Sequence, residues 1–191
     1  MNKKLILFLG LAATIGFSSA TLAAKQTRVR MSTSLGNIEL VLYADKAPVT
    51  VKNFLGYVDR GEYNGTIFHR VIKGFMIQGG GFDKNLDKRP TRNPIPNEAD
   101  NGLKNLAGTI AMARTNVPDS ATNQFFINTV DNGFLDFRDK STQGWGYTVF
   151  GKVVKGMDVV RKIESSPTRY FGRFQNLPAT TIVIKRVQRL K

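Results

Sequence analysis

The sequence predicts a mainly β fold, an antiparallel barrel or sandwich, and three observations support that class. Short alternating or compact apolar segments recur along most of the chain, separated by clusters of Gly, Pro, Asn and Asp. Only two segments have apolar residues at helical spacing. The strand-like segments do not alternate regularly with helices, as they would in a doubly wound parallel sheet.

The first predicted elements are a hairpin and a helix. Residues 28–32 and 38–42 alternate between apolar and polar side chains, and the Gly/Asn-containing stretch 34–37 joins them, which is typical of two paired strands. Four apolar residues then recur at helical spacing between Pro48 and Gly61. Because Pro is favoured in a first helical turn and Gly ends helices, this segment predicts an amphipathic helix.

The rest of the chain predicts more strands, one short helix and one long loop. The strand-like apolar segments are residues 66–77, 109–112, 124–128, 147–154 and 180–187. A second helix is predicted near residues 157–163, and residues 83–101, rich in Asp, Lys, Asn and Pro, are predicted as a long surface loop. No repeat or linker divides this part of the chain, so we expect a single domain.

The amino terminus has the pattern of a secretory signal peptide. The first four residues include two lysines, residues 5–17 form an apolar stretch, and residues 18–24 are mostly small. The apolar stretch is shorter than the roughly 20 residues that span a bilayer, which favours cleavage over a retained membrane anchor. We expect cleavage near Ala23, with Ala20 and Ala24 as alternatives, so that residues 1–23 are the signal peptide and residues 24–191 the exported, periplasmic domain.

The composition excludes several kinds of chemistry. The chain has no cysteine and a single histidine, so disulfides, thiolate metal sites and thiol nucleophiles are absent, and a histidine-based metal site or triad has little support. Gly79, Gly80 and Gly81 lack the spacing of a dinucleotide-binding motif, and Ser120 lies in no nucleophile motif. The lone His69 is interpreted as a packed structural residue rather than a catalyst.

The net charge of +14 is unusual, and it has more than one interpretation. A strongly basic protein can bind nucleic acid or an anionic membrane surface. Basic residues outnumber acidic ones most strongly in residues 152–191, but they are spread over predicted strands and loops without a known nucleic-acid motif. The sequence therefore favours an anionic envelope surface or an acidic client over nucleic acid.

Aromatic and amide residues are dense around one arginine. If residues 70–78 form one strand, Arg70, Met76 and Gln78 lie on the same face, unless Gly74 shifts the register. Such a face would place two strong hydrogen-bond donors beside an apolar patch. The alternative is that the apolar residues here belong to the core and that Arg70 is an ordinary surface charge.

Four segments, taken together, resemble the cyclophilin-type peptidyl-prolyl cis-trans isomerases. They are residues 68–80, 108–115, 120–128 and 149–153, in the right order and at compatible spacing. With its predicted signal peptide, the chain most resembles the exported, periplasmic branch of bacterial members. The resemblance implies a closed eight-stranded antiparallel β-barrel capped by two α-helices. It implies an enzyme that acts on proline-containing polypeptides without a cofactor or metal, and nothing in the sequence requires an oligomer.

The resemblance also implies the residues of the site. Arg70 corresponds to the catalytic arginine of the family. The implied substrate-binding residues are Phe75, Met76, Gln78, Ala113, Arg114, Thr115, Gln124, Phe126, Phe134, Leu135 and Tyr147. Most of the aromatic and aliphatic members would form the pocket for the proline ring, and the main chain at Arg114 would hold the peptide in an extended conformation.

Two positions depart from the best-known members of the family. Phe134 stands where those members often have tryptophan, Tyr147 stands where they have histidine, and the loop of residues 136–146 is longer. Because Phe134 lacks the N–H that an indole could donate, we expect weak or no binding of the cyclic peptide cyclosporin.

The reaction itself suits these residue types. Rotation about an Xaa-Pro bond breaks no covalent bond, so it requires no nucleophile, metal or cofactor. An alternative function is a proline-peptide binding or chaperone module with little catalysis. The presence of Arg70 argues against it, since a pure binder needs only the pocket and the groups that hold the backbone.

Overall fold

A closed barrel of eight antiparallel strands forms the body of the protein. The computed structural model describes residues 27–190, so the predicted signal peptide lies outside the described residues. The chain forms β1 (Arg28–Thr33), β2 (Gly36–Leu42), β3 (Thr66–Ile72), β4 (Met76–Asp83), β5 (Thr109–Met112), β6 (Phe125–Asn128), β7 (Val149–Lys155), β8 (Thr168–Phe171), β9 (Phe174–Pro178) and β10 (Val183–Leu190). The barrel order is β1-β10-β3-β4-β6-β5-β7-β2, and β2 closes it by pairing with β1. The predicted mainly β barrel is confirmed.

Both predicted helices are present. They are α1 (Pro48–Asp59) and α2 (Met157–Glu164), and the apolar faces of both pack into the core of the barrel. At the start of α1, the Glu98 carboxylate accepts hydrogen bonds from the backbone N–H groups of Val49 and Thr50 at 3.1 and 2.8 Å. These N–H groups have no partner within the helix, so Glu98 caps it from a distant loop. Within residues 27–190, no helix is both long and apolar enough to cross a membrane.

Strand alternation separates an interior cluster from an outer one. Along β6, Phe125 and Ile127 belong to the cluster that fills the barrel, whereas Phe126 belongs to a second cluster on the outer face. β4 follows the same rule, since Ile77 points inward and Met76 outward. Because successive residues of a strand face opposite sides, each of these strands supplies both clusters.

Residues 66–77 are not one strand, contrary to the simplest interpretation of that segment. The chain reverses at Gly74, whose φ of +71° lies in the region that glycine tolerates best, and β3 and β4 pair across this turn. Arg70 and Gln78 are therefore cross-strand partners on two strands, not neighbours on one. Arg70 and Gln78 still lie on the same face of the sheet, because the register places them opposite each other.

Two further segments differ from expectation. Residues 83–101 are not only a surface loop, because Asn97 and Ala99 are buried and Glu98 caps α1. The sequence analysis did not predict β8 and β9, which pair as a separate two-stranded sheet, and β9 lies against β3. We call β8 and β9 the accessory hairpin. The last barrel strand, predicted near residues 180–187, begins at Val183.

Candidate active site

A pocket of about 290 Å³ lies on the outer face of the barrel, over the second apolar cluster. We call it the outer pocket. Its lining residues are Arg70, Phe75, Met76, Gln78, Ala113, Arg114, Phe126, Phe134, Leu135 and Tyr147. The structure thus brings ten of the twelve predicted site residues to one place, although they come from three strands, three loops and one 3-10 helix. Their roles stay predictions.

The floor of the outer pocket is apolar and buried. Met76 and Phe126 are only 2% and 4% exposed, and Leu135 lies in a short 3-10 helix, Gly133–Leu135, that packs onto the same cluster. At the rim, the Phe75 ring stacks against Phe134 at 5.6 Å between centroids. Phe134 is 71% exposed, so it covers one side of the pocket and stays open to a ligand. Such a site suits a small apolar ring.

A chain of polar side chains holds Arg70 at the edge of this apolar floor. Arg70 donates a hydrogen bond to Gln78 Oε1 at 3.3 Å, and Gln78 Nε2 donates to Gln124 Oε1 at 2.9 Å. The guanidinium is exposed on β3 and keeps its other N–H groups available. It is therefore oriented by two glutamines and able to donate to a bound substrate.

Gln124 does not line the outer pocket, but close packing around it and around its neighbours explains two of the three consecutive glycines. A Cβ at Gly81 would come within 2.5 Å of the Gln124 side chain. Gly80 has a φ of +87°, and a Cβ there would contact the rings of Phe125 and Tyr63 at 2.9 Å. These glycines therefore permit close packing beneath the site.

Arg114 and Tyr147 form the opposite side of the outer pocket. Arg114 Nε donates to the carbonyl of Gly146 at 2.8 Å, and its guanidinium lies over the Tyr147 ring at 4.7 Å. The Tyr147 ring in turn meets Phe126 edge to face at 5.7 Å. Among residues 27–190, the main-chain N–H and C=O of Arg114 make no hydrogen bond, so both can pair with an extended peptide. Thr115 lies outside the pocket, where it bonds to Ser120.

Three buried asparagines support the outer pocket from behind, and sequence reasoning did not assign them this role. Asn132 Nδ2 donates to the Phe75 carbonyl at 2.9 Å and to Asn128 Oδ1 at 2.8 Å. Asn128 Nδ2 donates to Asn105 Oδ1 at 3.2 Å, and Asn105 Nδ2 donates to the Leu135 carbonyl at 3.1 Å. This amide chain fixes the backbone of two pocket walls. A satisfied buried network of this kind rigidifies its surroundings.

Glu164 of α2 provides a second support. Its carboxylate accepts a hydrogen bond from the backbone N–H of Gly74 at 2.8 Å and another from Arg161 at 3.0 Å. Burial opposes the charged form, but its polar neighbours, Thr129 first and then Gly74 and Arg161, hold the pKa of Glu164 below its usual value. The helix thereby fastens the β3–β4 turn that carries Phe75.

His69 is a packed residue, as the sequence interpretation favours. It is 5% exposed, and its ring contacts Phe82 edge to face at 4.7 Å. Burial lowers the pKa of His69 to about 4, so the imidazole is neutral at physiological pH.

The fold and the site together define the class of protein. A closed barrel carries on its outer face an apolar pocket with one oriented guanidinium at the rim and a free main-chain edge at Arg114. Among residues 27–190, no group of three His, Cys, Asp or Glu side chains could hold a metal ion. The arrangement suits binding of a proline ring and its flanking backbone.

Comparisons with known proteins agree with this class. A family model described as cyclophilin type peptidyl-prolyl cis-trans isomerase/CLD matches residues 28–189. The chain therefore belongs to the cyclophilin-type peptidyl-prolyl cis-trans isomerase family, and it is an enzyme of that type.

Named relatives share most of their length with this chain. Peptidyl-prolyl cis-trans isomerase A of Dickeya dadantii is 56% identical over 175 residues, covering 92% of this chain and 90% of the relative. Peptidyl-prolyl cis-trans isomerase B of Escherichia coli K12 is 57% identical over 159 residues, covering 83% and 97%.

A solved structure is similar as well. The crystal structure of a cyclophilin-type peptidyl-prolyl cis-trans isomerase from Cryptosporidium parvum has a TM-score of 0.72 at 28% identity, covering 87% of this chain and 98% of that one. A structure of the same protein in the presence of the dipeptide Ala-Pro has a TM-score of 0.71, covering 86% and 99%.

Proposed function

We propose that this enzyme is exported to the periplasm, where it accelerates rotation about Xaa-Pro bonds in other exported proteins as they fold, with Arg70 as its catalytic residue. The observation that carries the proposal is the Arg70 guanidinium, oriented by Gln78 at the rim of an apolar pocket. Substrates of this kind fit the family, and the C. parvum relative was crystallised in the presence of Ala-Pro.

The barrier that the enzyme must lower comes from resonance in the peptide bond. The nitrogen lone pair is delocalised into the carbonyl, which gives a rotational barrier of about 18–20 kcal/mol. Uncatalysed Xaa-Pro exchange takes roughly tens to hundreds of seconds, slow enough to limit folding. As the bond twists, the lone pair localises on the imide nitrogen, which becomes able to accept a hydrogen bond.

The outer pocket supplies what such a rotation needs. Met76 and Phe126 hold the pyrrolidine ring, and the main chain of Arg114 holds the flanking peptide, so that twisting is confined to one bond. Arg70 then donates to the imide nitrogen when the lone pair is free. Because that acceptor exists only in the twisted state, the interaction stabilises the transition state more than the ground state. A preoriented donor of this kind is worth about 2.7–4 kcal/mol.

A prolyl-isomerisation assay on a short Ala-Pro peptide tests the enzyme mechanism. We expect Arg70→Ala to lower kcat/KM by about two to three powers of ten, the effect of losing one such donor. Arg60→Ala is the matched control, because Arg60 is an exposed arginine at the carboxyl end of α1, away from the pocket. It should leave the rate unchanged.

Two outcomes would count against this mechanism. If the parent protein binds Ala-Pro peptides without accelerating exchange, the protein is a binding module. If Arg70→Ala and Arg60→Ala have the same rate as the parent, Arg70 has no catalytic role.

Export is tested separately, on the cells rather than on the purified enzyme. The amino-terminal pattern of residues 1–23 supports it. When cells express the full-length chain, we expect a cleaved protein in the periplasmic fraction. Intact-mass spectrometry should place its amino terminus near residue 24. A cytoplasmic protein that retains residues 1–23 would contradict export and leave the enzyme mechanism untouched.

A further inference from the structure

A second pocket lies beside the outer pocket and shares Arg70 with it. Its volume is about 170 Å³, and its lining residues are His69, Arg70, Arg173, Phe174, Gln175 and Asn176. We call it the hairpin pocket, because the accessory hairpin supplies four of these residues. Its wall on the barrel side consists of two consecutive residues of β3.

Aromatic packing joins the hairpin to the barrel at this pocket. The Phe174 ring meets Phe82 of β4 edge to face at 5.1 Å, and His69 contacts the same two rings at 6.3 and 4.7 Å. Edge-to-face contacts at these distances are favourable beyond simple burial. The hairpin pocket therefore has a packed aromatic floor, to which β3–β4 and the accessory hairpin contribute residues more than ninety positions apart in the chain.

The hairpin pocket is positively charged. The guanidinium of Arg173 lies 5.3 Å from both the Phe82 and the Phe174 ring centroids. These cation–π contacts, rather than an ion pair with a carboxylate, restrict its position. Within residues 27–190, neither Arg173 nor Arg70 forms an ion pair. The neighbouring His69 is neutral, since burial lowers its pKa to about 4. The pocket thus presents two unpaired guanidinium groups around a neutral, aromatic floor.

The two pockets lie in line along the face of the barrel. Arg114 follows β5, which pairs with β6, and then β4 and β3 follow in turn, with the accessory hairpin packed against β3. Arg70 on β3 stands between the two pockets. A peptide whose proline occupied the outer pocket, and one of whose flanks ran along Arg114, would extend its other flank over Arg70 towards Arg173.

We propose that the hairpin pocket is a specificity subsite for the carboxylate side chain of an Asp or Glu that the substrate carries one to three residues from the isomerised proline, on the flank away from Arg114. A planar carboxylate matches the fork of a guanidinium, and two such forks border the pocket. The inference rests on the proposed function, because it assumes that a proline substrate occupies the outer pocket. It also gives part of the strong positive charge of the carboxyl-terminal region a role in substrate selection.

The test compares peptides that differ only in one side chain. A common peptide with one proline carries a single Glu or Gln, in turn at each of the three positions before and the three positions after that proline, and kcat/KM is measured for each peptide. We expect one flank only to show a preference for Glu, of about two- to fivefold, as for a partly exposed ion pair. The preference should fall with added salt, because exposed charges are screened.

Variants of the hairpin assign that preference to the pocket. Arg173→Gln should abolish the Glu preference and leave the rate on the plain Ala-Pro peptide unchanged. Arg173→Glu should reverse it, so that Lys at the same position is favoured. Arg169→Gln is the matched control, because Arg169 lies on the same hairpin over the Phe171 ring and does not line the pocket. It makes the same change in net charge and should retain the preference.

Each result separates the subsite from the enzyme mechanism. If no peptide is isomerised, the proposed function fails. If all peptides are isomerised with equal rates for Glu and Gln, the subsite is wrong and the function stands. A Glu preference on both flanks, or one that persists in Arg173→Gln, would instead reflect attraction by the overall charge and would overturn the subsite.

Discussion

The outer pocket and the hairpin pocket adjoin the same arginine but differ in how they are built. The walls of the outer pocket belong to barrel strands and to loops held by buried asparagines and by Glu164. The hairpin pocket depends on a two-stranded appendage, and apart from His69 its side chains are exposed or half-buried.

This difference suits the outer pocket to catalysis and the hairpin pocket to substrate selection. Lowering a rotational barrier requires groups held within a fraction of an ångström, and a closed barrel with a satisfied amide network provides that rigidity. Selecting a flanking side chain requires only a modest difference in affinity, which a surface hairpin can supply. We therefore expect changes in the outer pocket to affect every substrate, and changes in the hairpin pocket to affect only some.

Truncating one phenylalanine in each pocket gives the largest contrast. Phe126→Ala removes a 4% exposed ring and should cost about 3–5 kcal/mol of unfolding free energy. It should also lower kcat/KM on Ala-Pro by about tenfold or more, because the outer pocket loses one of the two side chains proposed to hold the proline ring. Phe174→Ala, in a half-buried position, should cost about 1 kcal/mol.

Denaturant unfolding and the isomerisation assay measure both variants. Phe174→Ala should isomerise plain Ala-Pro at a rate close to that of the parent. If it loses as much activity as Phe126→Ala, the two regions are not separate in function, and the hairpin belongs to the catalytic machinery.

Lowering the pH should reduce the stability of the protein through protonation of His69, which lies on the hairpin side of Arg70. Burial lowers the pKa of His69 in the folded protein to about 4, below its ordinary value of 6.5, so the unfolded chain takes up a proton first as the pH falls. Stability from this group is complete above pH 6.5 and declines towards pH 4, by about 2 kcal/mol between pH 7.5 and pH 5. Unfolding titrations at several pH values measure the decline.

His69→Gln is the control for this titration. It cannot take up a proton, so it should remove most of the decline above pH 5. The carboxylates with lowered pKa values, Glu39, Asp59, Asp139 and Glu164, lose their contributions at lower pH. A parent and variant with parallel pH profiles would show that His69 is not the group responsible.

The smallest expected effect is at the rim of the outer pocket. Phe134 stacks on Phe75 and offers no hydrogen-bond donor, so we expect cyclosporin to inhibit the enzyme weakly. Phe134→Trp should strengthen inhibition by about two- to tenfold, the value of one exposed hydrogen bond. Inhibition assays on Ala-Pro check both forms. Submicromolar inhibition of the parent would show that the rim does not decide affinity for this ligand.

Most of the strands and both helices could be predicted from the sequence because their signals are local, whereas the closed barrel and most of the pocket residues were expected only from the resemblance to the family. Alternation along single strands places Met76 and Phe126 on an outer face, and the apolar period predicts both helices. The one-strand interpretation of residues 70–78 fails at Gly74, because a positive φ allows a tight turn that periodicity alone does not reveal.

The supporting residues could not be predicted, because each acts far from its place in the chain. Glu164 bonds to Gly74 across ninety positions, and Asn105 and Asn132 lie in loops whose conformations no short pattern determines. The accessory hairpin has strand-like sequence, but its docking depends on Phe82 and Phe174, which meet only in the folded protein.

Closure of the barrel has a further consequence for an enzyme of the peptidyl-prolyl isomerase family. β1 pairs with both β10 and β2, so every barrel strand has neighbours on both sides, and only the main chain at Arg114, beyond the end of β5, is left open at the outer pocket. Extended chains are thereby denied strand addition along the barrel strands, the route by which exposed sheets capture peptides and aggregate. The accessory hairpin is the exception, and all four residues of its outer strand β8, including Arg169, are exposed. A charge on such an edge discourages pairing.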